Sequence, residues 1–186
     1  MHVEHTVTID RPIEEVFEYV SSPENDPTWV PAALRHERTS PGPMRVGMTT
    51  QMDLKFLGRT GTYTWKVVEY ESPNLLAYRA TSGPLPIVVR LQFEPVDGGT
   101  RFTHAIDTEP RGIYYQALAP LMPGAIERIL ESMHRNLKNQ LEGKPTMPSR
   151  GPKAAFSGAM MGGIVVAAVA VIALLLLRRR SHSSRR

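Results

Sequence analysis

Cysteine is absent from the 186-residue chain. Disulfides, thiolate zinc centres and cysteine nucleophiles are therefore excluded, and the absence fits a reducing compartment. Acidic residues stop at Glu142, beyond which there are eight Lys or Arg and no Asp or Glu. Residues 1–143 thus hold 14 bases against 18 acids, although the whole chain carries a net charge of +4. A mildly acidic body is a poor nucleic-acid binder, because phosphate contacts need clustered Lys and Arg. The opening MHVEHTVTID lacks the basic and apolar regions of a secretory signal; its alternation reads as a strand. No nucleophile elbow, P-loop, dinucleotide fingerprint or zinc-protease motif occurs, so neither a committed catalytic set nor a cofactor is expected.

What the chain does have is a long apolar run. Ala154 to Leu177 contains 24 residues without charge. As a helix it would extend roughly 36 Å, enough to cross a hydrocarbon core of about 30 Å. Arg178, Arg179 and Arg180 stop the run. The expectation is a single-pass transmembrane helix over 154–177 and a basic tail over 178–186. Gly158 and Gly162 form a G-x-x-x-G, a spacing that lets two such helices approach closely, so a homodimer through this face is considered. Five bases after the run and three before it favour an inside tail. The run is made last, however, when the body has already folded. The body is accordingly placed on the cytoplasmic side. Residues 144–153, rich in Pro and basic residues, read as a semi-rigid linker.

Residues 1–143 read as one domain. RPIEEVFEYV puts Ile13, Val16, Phe17 and Val20 on one helical face behind Pro12, with Glu14 and Glu15 near the positive end of the helix dipole. Ser22 is placed as the N-cap of a second short helix running toward Trp29. Residues 126–141 carry an apolar stripe of Ile126, Ile129, Leu130, Met133, Leu137 and Leu141, with Pro123 in the first turn and Gly143 past the end. His134 is read as lying just off this stripe, on a solvated face. Between these helices the sequence alternates. The inward faces are Met48, Thr50, Met52, Leu54 and Phe56; Tyr63, Trp65 and Val67; Leu76 and Tyr78; Ile87, Val89, Leu91 and Phe93; and Phe102, His104 and Ile106. Asp97-Gly98-Gly99 signals a hairpin. Counting the opening strand, an α+β fold follows, with a curved antiparallel sheet of about seven strands covered by the long final helix.

IDRPIEEVFEYVSSPENDPTWVP, WKVVEYESPNLLAYR, FEPVDGGTRFTH and RNLKNQLEG, in this order over residues 3–143, resemble the START-like helix-grip (SRPBCC) superfamily and its polyketide cyclase/dehydrase-like branch. Arg11 stands where that family usually has a small polar residue. The resemblance implies a cavity between the bent sheet and the long helix that takes an apolar small molecule: a lipid, a quinone or a polyketide-like compound. The inward Tyr63, Trp65, Tyr78, Phe93, Phe102 and His104 would line it. His104 could orient a ligand carbonyl or act as the acid–base group, since an imidazole is readily tuned; the alternative is ordinary core packing for the five aromatics, and for His104 a hydrogen-bonded interior histidine or a strand-phase slip that puts it in solvent. His2, Glu4 and His5 do not share a strand face, so no metal is expected. The reading is a membrane-anchored binder or carrier. The alternatives are a cyclase, aromatase or dehydratase, and a membrane-tethered protein-interaction module.

Overall fold

The computed structural model describes residues 1–143 apart from 57–58, 84, 110, 112–115 and 117–118. The expected linker, transmembrane helix, Gly158/Gly162 face and basic tail lie outside the described residues. Among the described residues no helix is long and apolar enough to cross a membrane.

Alternation in the sequence becomes one antiparallel sheet. Its strands are β1 His2–Ile9, β2 Ala33–Arg38, β3 Thr49–Phe56, β4 Arg59–Glu71, β5 Leu75–Ser82, β6 Ile87–Val96 and β7 Gly99–Thr108. The sheet order is β1-β7-β6-β5-β4-β3-β2. Neighbours in sequence pair by short connections, and β1 joins at the far end beside β7. Register shifts between Ala33 and Arg35 on β2, and on β4 between Thr64 and Trp65 and between Val67 and Glu69, interrupt the ladder. Such bulges increase local bend and twist.

β2 was not anticipated from the sequence. ALRHER does not alternate, and only Ala33 and His36 of the strand are buried. The irregularity after Ala33 breaks the two-residue period on which strand recognition depends.

Among the described residues three helices accompany the sheet: α1 Ile13–Val20, α2 Asp26–Trp29 and α3 Met122–Leu141, with a 3-10 turn at Pro23–Asn25. α1 buries the four expected apolar residues and exposes Glu14 and Glu15. Ser22 occupies the N-cap position of the 3-10 turn, but its hydroxyl donates back to the Glu18 carbonyl at 2.9 Å instead of capping. α3 buries Leu130, Met133, Leu137 and Leu141, and Gly143 takes the left-handed conformation after it, φ 67°. His134 belongs to the same stripe and is 1 % exposed, which corrects its placement on a solvated face. It lies four residues after Leu130 and three before Leu137, so the helix carries it inward with them.

The end of α3 is tied to the front of the chain. Arg11 Nε donates to the Leu141 carbonyl at 2.8 Å, and Lys138 Nζ donates to the Thr8 carbonyl at 2.6 Å. The Asp10 amide donates to the Glu142 carboxylate at 3.0 Å. A cation at a helix C-terminus meets both free carbonyls and the negative end of the dipole. This gives Arg11 a task that a small polar residue at that position could not perform.

The β6–β7 hairpin turns at Asp97-Gly98, with Gly98 at φ 79°. Gly99 has a different constraint: a Cβ there would sit 2.1 Å from the Ile9 carbonyl oxygen and 3.0 Å from Asp10 Cα. The obstacle is backbone, so it cannot rotate away. Gly99→Ala is expected to destabilise the domain by about 2–3 kcal/mol through overpacking of the β1–β7 junction. Chemical denaturation of the two proteins checks this, and an unchanged midpoint would remove the constraint.

Candidate functional site

The register of the sheet arranges its inward side chains in rows that cross the strands. The first row is Phe93, Phe102 and Val7. The second is Leu76, Leu91, His104 and His5. The third is Val67, Tyr78, Val89, Ile106 and Val3. Trp65 pairs with Thr50 on one side and Ala80 on the other, and Tyr63 pairs with Met52.

Burial changes along these rows. Phe93 and Phe102 are 1 % and 0 % exposed, and their rings meet at 5.0 Å. Phe17 of α1 packs on Phe93 at 5.2 Å, and Trp29 of α2 on Phe102 at 6.4 Å. This end is a closed aromatic core. At the other end Val89, Ile106, Ile87 and Ala80 on the sheet, with Ile126 and Ile129 on α3, remain only partly buried. Aliphatic side chains on a covered sheet face are ordinarily enclosed. Here they form a broken apolar rim, since Val67, Tyr78 and Val3 of the third row are buried and Val7 of the first is only partly so.

Tyr63 and Trp65 stack at 5.4 Å with an interplanar angle of 20°. Gly83 makes room for the Tyr63 ring, because a Cβ there would lie 2.3 Å from Tyr63 Cδ1. Both rings and Tyr78 are buried. Burial, with smaller contributions from Asp26 and other nearby groups, raises the Tyr78 phenol above its ordinary range, so it stays protonated. Of the six residues singled out by sequence, the structure therefore groups Phe93, Phe102 and His104 at one place and Tyr63 with Trp65 at another. Tyr78 stands in the third row, beside the half-buried Val89.

Three histidines meet where the closed core ends. His5 on β1 and His104 on β7 are cross-strand partners. His134 of α3 closes over them, with its Nδ1 2.7 Å from His5 Nδ1 and its ring 5.8 Å from that of His104. His104 is 3 % exposed. Its Nδ1 and His134 Nε2 are buried with no hydrogen-bond partner among the described residues, as are the indole nitrogens of Trp65 and Trp29. Burial is the first cause that pushes His104 down to about 3 and His134 down to about 2; the other imidazoles of the cluster add to it. Both rings are neutral at pH 7. Among the described residues no group of three His, Cys, Asp or Glu is arranged to hold a metal ion.

A second polar cluster lies on the α2 side and was not foreseen, because its members come from three elements. His36 Nδ1 is 2.6 Å from Asp26 Oδ2, and its Nε2 is 2.7 Å from Thr50 Oγ1. Burial raises the Asp26 carboxyl, against the pull of His36. The order carboxylate, imidazole, hydroxyl is that of a nucleophilic relay. Thr50, however, is fully buried, so the cluster serves as a clip joining α2, β2 and β3.

Two surface clefts are present outside the sheet–helix interior. One, of about 480 Å³, lies between Arg11–Glu14 and the β6–β7 hairpin. The other, of about 370 Å³, lies between α1 and the turn at Ser72-Pro73. Neither is lined by the six residues or by the histidines.

The two depressed imidazoles set a pH dependence. Below pH 6.5 the unfolded chain takes up protons that folded His104 and His134 refuse until about pH 3 and 2. Stability therefore falls as pH falls through this window. The raised Asp26 carboxyl works in the opposite direction above its ordinary value of 3.8. Two groups against one leave a net loss of roughly 1–3 kcal/mol per pH unit between about pH 6 and 4. Urea midpoints measured across that range check the slope. His104→Phe should make it shallower, and an equal slope in that variant would detach it from the cluster.

Comparison with known proteins places this geometry. Residues 1–142 match the family model described as "Polyketide cyclase / dehydrase and lipid transport". No curated protein matches in sequence. Solved structures do. A Thermus thermophilus protein is similar at a TM-score of 0.68 and 16 % identity, with 77 % of this chain and 98 % of that one covered. A START superfamily protein from Mycobacterium smegmatis gives 0.65 and 17 %, with 76 % and 97 % covered. The Zhui aromatase/cyclase from Streptomyces sp. R1128 gives 0.63 and 18 %, with 76 % and 93 % covered. At these identities the structures speak for the fold, a curved seven-stranded sheet gripping a long helix, and the model match over most of the chain supplies the family: the protein belongs to the polyketide cyclase/dehydrase and lipid transport family.

Proposed function

We propose that this protein binds or carries an apolar small molecule between the inward face of its sheet and α3. One observation carries the reading. Half-buried Val89, Ile106, Ile126 and Ile129 flank the sheet–helix interior in which a buried nitrogen of His104 and one of His134 have no partner among the described residues, and Trp65 Nε1, elsewhere on the inward face, has none either. An apolar rim with a few convergent polar groups is the composition of a ligand site. A buried polar atom left unpaired costs about 1–3 kcal/mol, which a bound molecule with one polar group would recover. The family description, naming both cyclisation and lipid transport, is compatible with this.

The enzymatic alternative has a specific weakness. General acid–base catalysis is most effective when the group titrates near the working pH. His104, pushed down to about 3, is a weak base and carries no proton to donate as an imidazolium at pH 7. The interaction-module alternative needs a contiguous apolar patch. Among the described residues, the exposed large apolar side chains Leu34, Val46 and Leu121 lie on three separate segments.

We further propose that residues 154–177 tether this site to a membrane, with the domain on the cytoplasmic side, and that Gly158 and Gly162 are where two such helices would meet. Tethering suits an apolar ligand, because the bilayer is where that ligand concentrates. It raises the effective concentration of site and ligand together. The support is the uncharged run and its flanking arginines.

Two experiments test these readings. Solvent extraction of the full-length chain, purified and washed, should release an apolar compound at about one per chain. Val89→Lys, which places an ammonium at the rim, should reduce its retention about tenfold with an unfolding midpoint close to that of the parent. A parent that retains nothing and binds no apolar probe would end the binding reading. For the tether, alkaline carbonate washing of membranes should leave the full-length chain in the pellet, and release into the supernatant would remove it.

A further inference from the structure

The three histidines narrow what the interior would hold, and this step rests on the binding reading above. His104 and His134 lie at the boundary between the closed phenylalanine core and the broken rim, each with one buried nitrogen unpartnered among the described residues. Their rings face each other at 30°, and Phe102 packs against both, at 6.2 and 5.0 Å. Around them stand Leu91, Leu130 and Met133, all buried. Among the described residues, the titratable groups acting on His104 and His134 are the other imidazoles of the cluster, with no carboxylate, ammonium or guanidinium contributing. A charged headgroup reaching this floor would be buried without a counter-charge, which is strongly unfavourable.

We propose that His104 and His134 anchor the oxygen of a neutral, otherwise apolar ligand: an alcohol, a phenol or a ketone. His5 is the positioning residue. Its Nδ1 shares one proton with His134 Nδ1 across 2.7 Å, and the partner that donates decides whether His134 Nε2 offers an N–H or a lone pair. If His5 donates, His134 keeps its own proton on Nε2 and can donate to a ketone. If His134 donates, its Nε2 accepts from a hydroxyl. One arrangement thus suits both oxygen types and neither kind of ion. A site built to hydrogen-bond such an oxygen discriminates against the analogue that lacks it, because its own polar atoms are then left unpaired.

The test uses the full-length chain and two matched probe series: 2-naphthol, naphthalene and 2-naphthoate; dodecanol, dodecane and dodecanoate. Binding is read by the fluorescence of the protein or probe and by calorimetry. In at least one series the alcohol should bind about tenfold more tightly than the hydrocarbon, the scale of a neutral hydrogen bond or two, and the carboxylate more weakly than either. His104→Phe and His134→Leu should erase the alcohol's advantage while the hydrocarbon still binds. Because those variants alter a buried cluster, ¹⁵N imidazole spectra of the unmodified chain give a second reading. The alcohol should shift the His104 and His134 nitrogens, and the hydrocarbon should not. His5→Phe should change the His134 tautomer signature, an effect that packing alone would not produce. A hydrocarbon that binds as tightly as its alcohol, or a carboxylate that binds more tightly, would overturn the anchor and leave the binding function standing. Failure of all six probes to bind would overturn both.

Discussion

The contact on which the rest of the structure depends is that between α3 and the inward face of the sheet. The sheet has one strongly apolar side, on which Leu76, Leu91, Phe93 and Phe102 are enclosed. An amphipathic helix of twenty residues is marginal alone in water. Burying Leu130, Met133, Leu137 and Leu141 contributes about 6–12 kcal/mol at 1.5–3 kcal/mol per side chain, comparable with the net stability of an entire domain. Neither layer persists without the other. The placement of the helix is then set at its end: Arg11 and Lys138 bond carbonyls across the joint between the front of the chain and α3. That joint holds the phenylalanine end shut, so the closed and open ends of the interior follow from where the ties are.

Most of this frame was legible in the sequence, because burial on one face writes a period of two into strands and 3.6 into helices. The faces led by Met48, Tyr63, Ile87 and Phe102, the helix behind Pro12 and the stripe of α3 all carry that signal. Less was visible wherever a polar residue sits inside. His134 occupies a stripe position, yet a stripe drawn through apolar residues alone passes over it. β2 escaped because its bulge breaks alternation, and with it went His36, whose partners Asp26 and Thr50 are ten and fourteen residues away. His104 was picked out from strand phase, but its neighbours His5 and His134 come from elements at opposite ends of the domain. Only the β1–β7 pairing and the return of α3 bring them together.

The aromatic set divides for a related reason. Strand phase says which side of the sheet a ring faces, not how far along the sheet it lies. Phe93 and Phe102 share the inward side with Tyr63 and Trp65, but α1 and α2 cap the phenylalanines. The cross-strand register decides this, and register depends on turns and bulges that no single strand records.

The same side chain also does opposite work in the two buried clusters. His36 has a carboxylate on one nitrogen and a hydroxyl on the other. Both of its polar atoms are satisfied, and the result is a clip between elements. Among the described residues His104 and His134 have no carboxylate partner, and each keeps a buried nitrogen open. A core selected for stability alone would have replaced them with Leu or Phe, since an apolar residue there removes the penalty of an unpaired polar atom and suits the neighbouring Phe102, Leu130 and Met133. Retaining imidazoles at that boundary costs stability, and such costs concentrate where a protein meets a ligand. On the proposed binding function, the open imidazole nitrogens, more than the aromatic rings, are therefore the candidates for contact with the ligand.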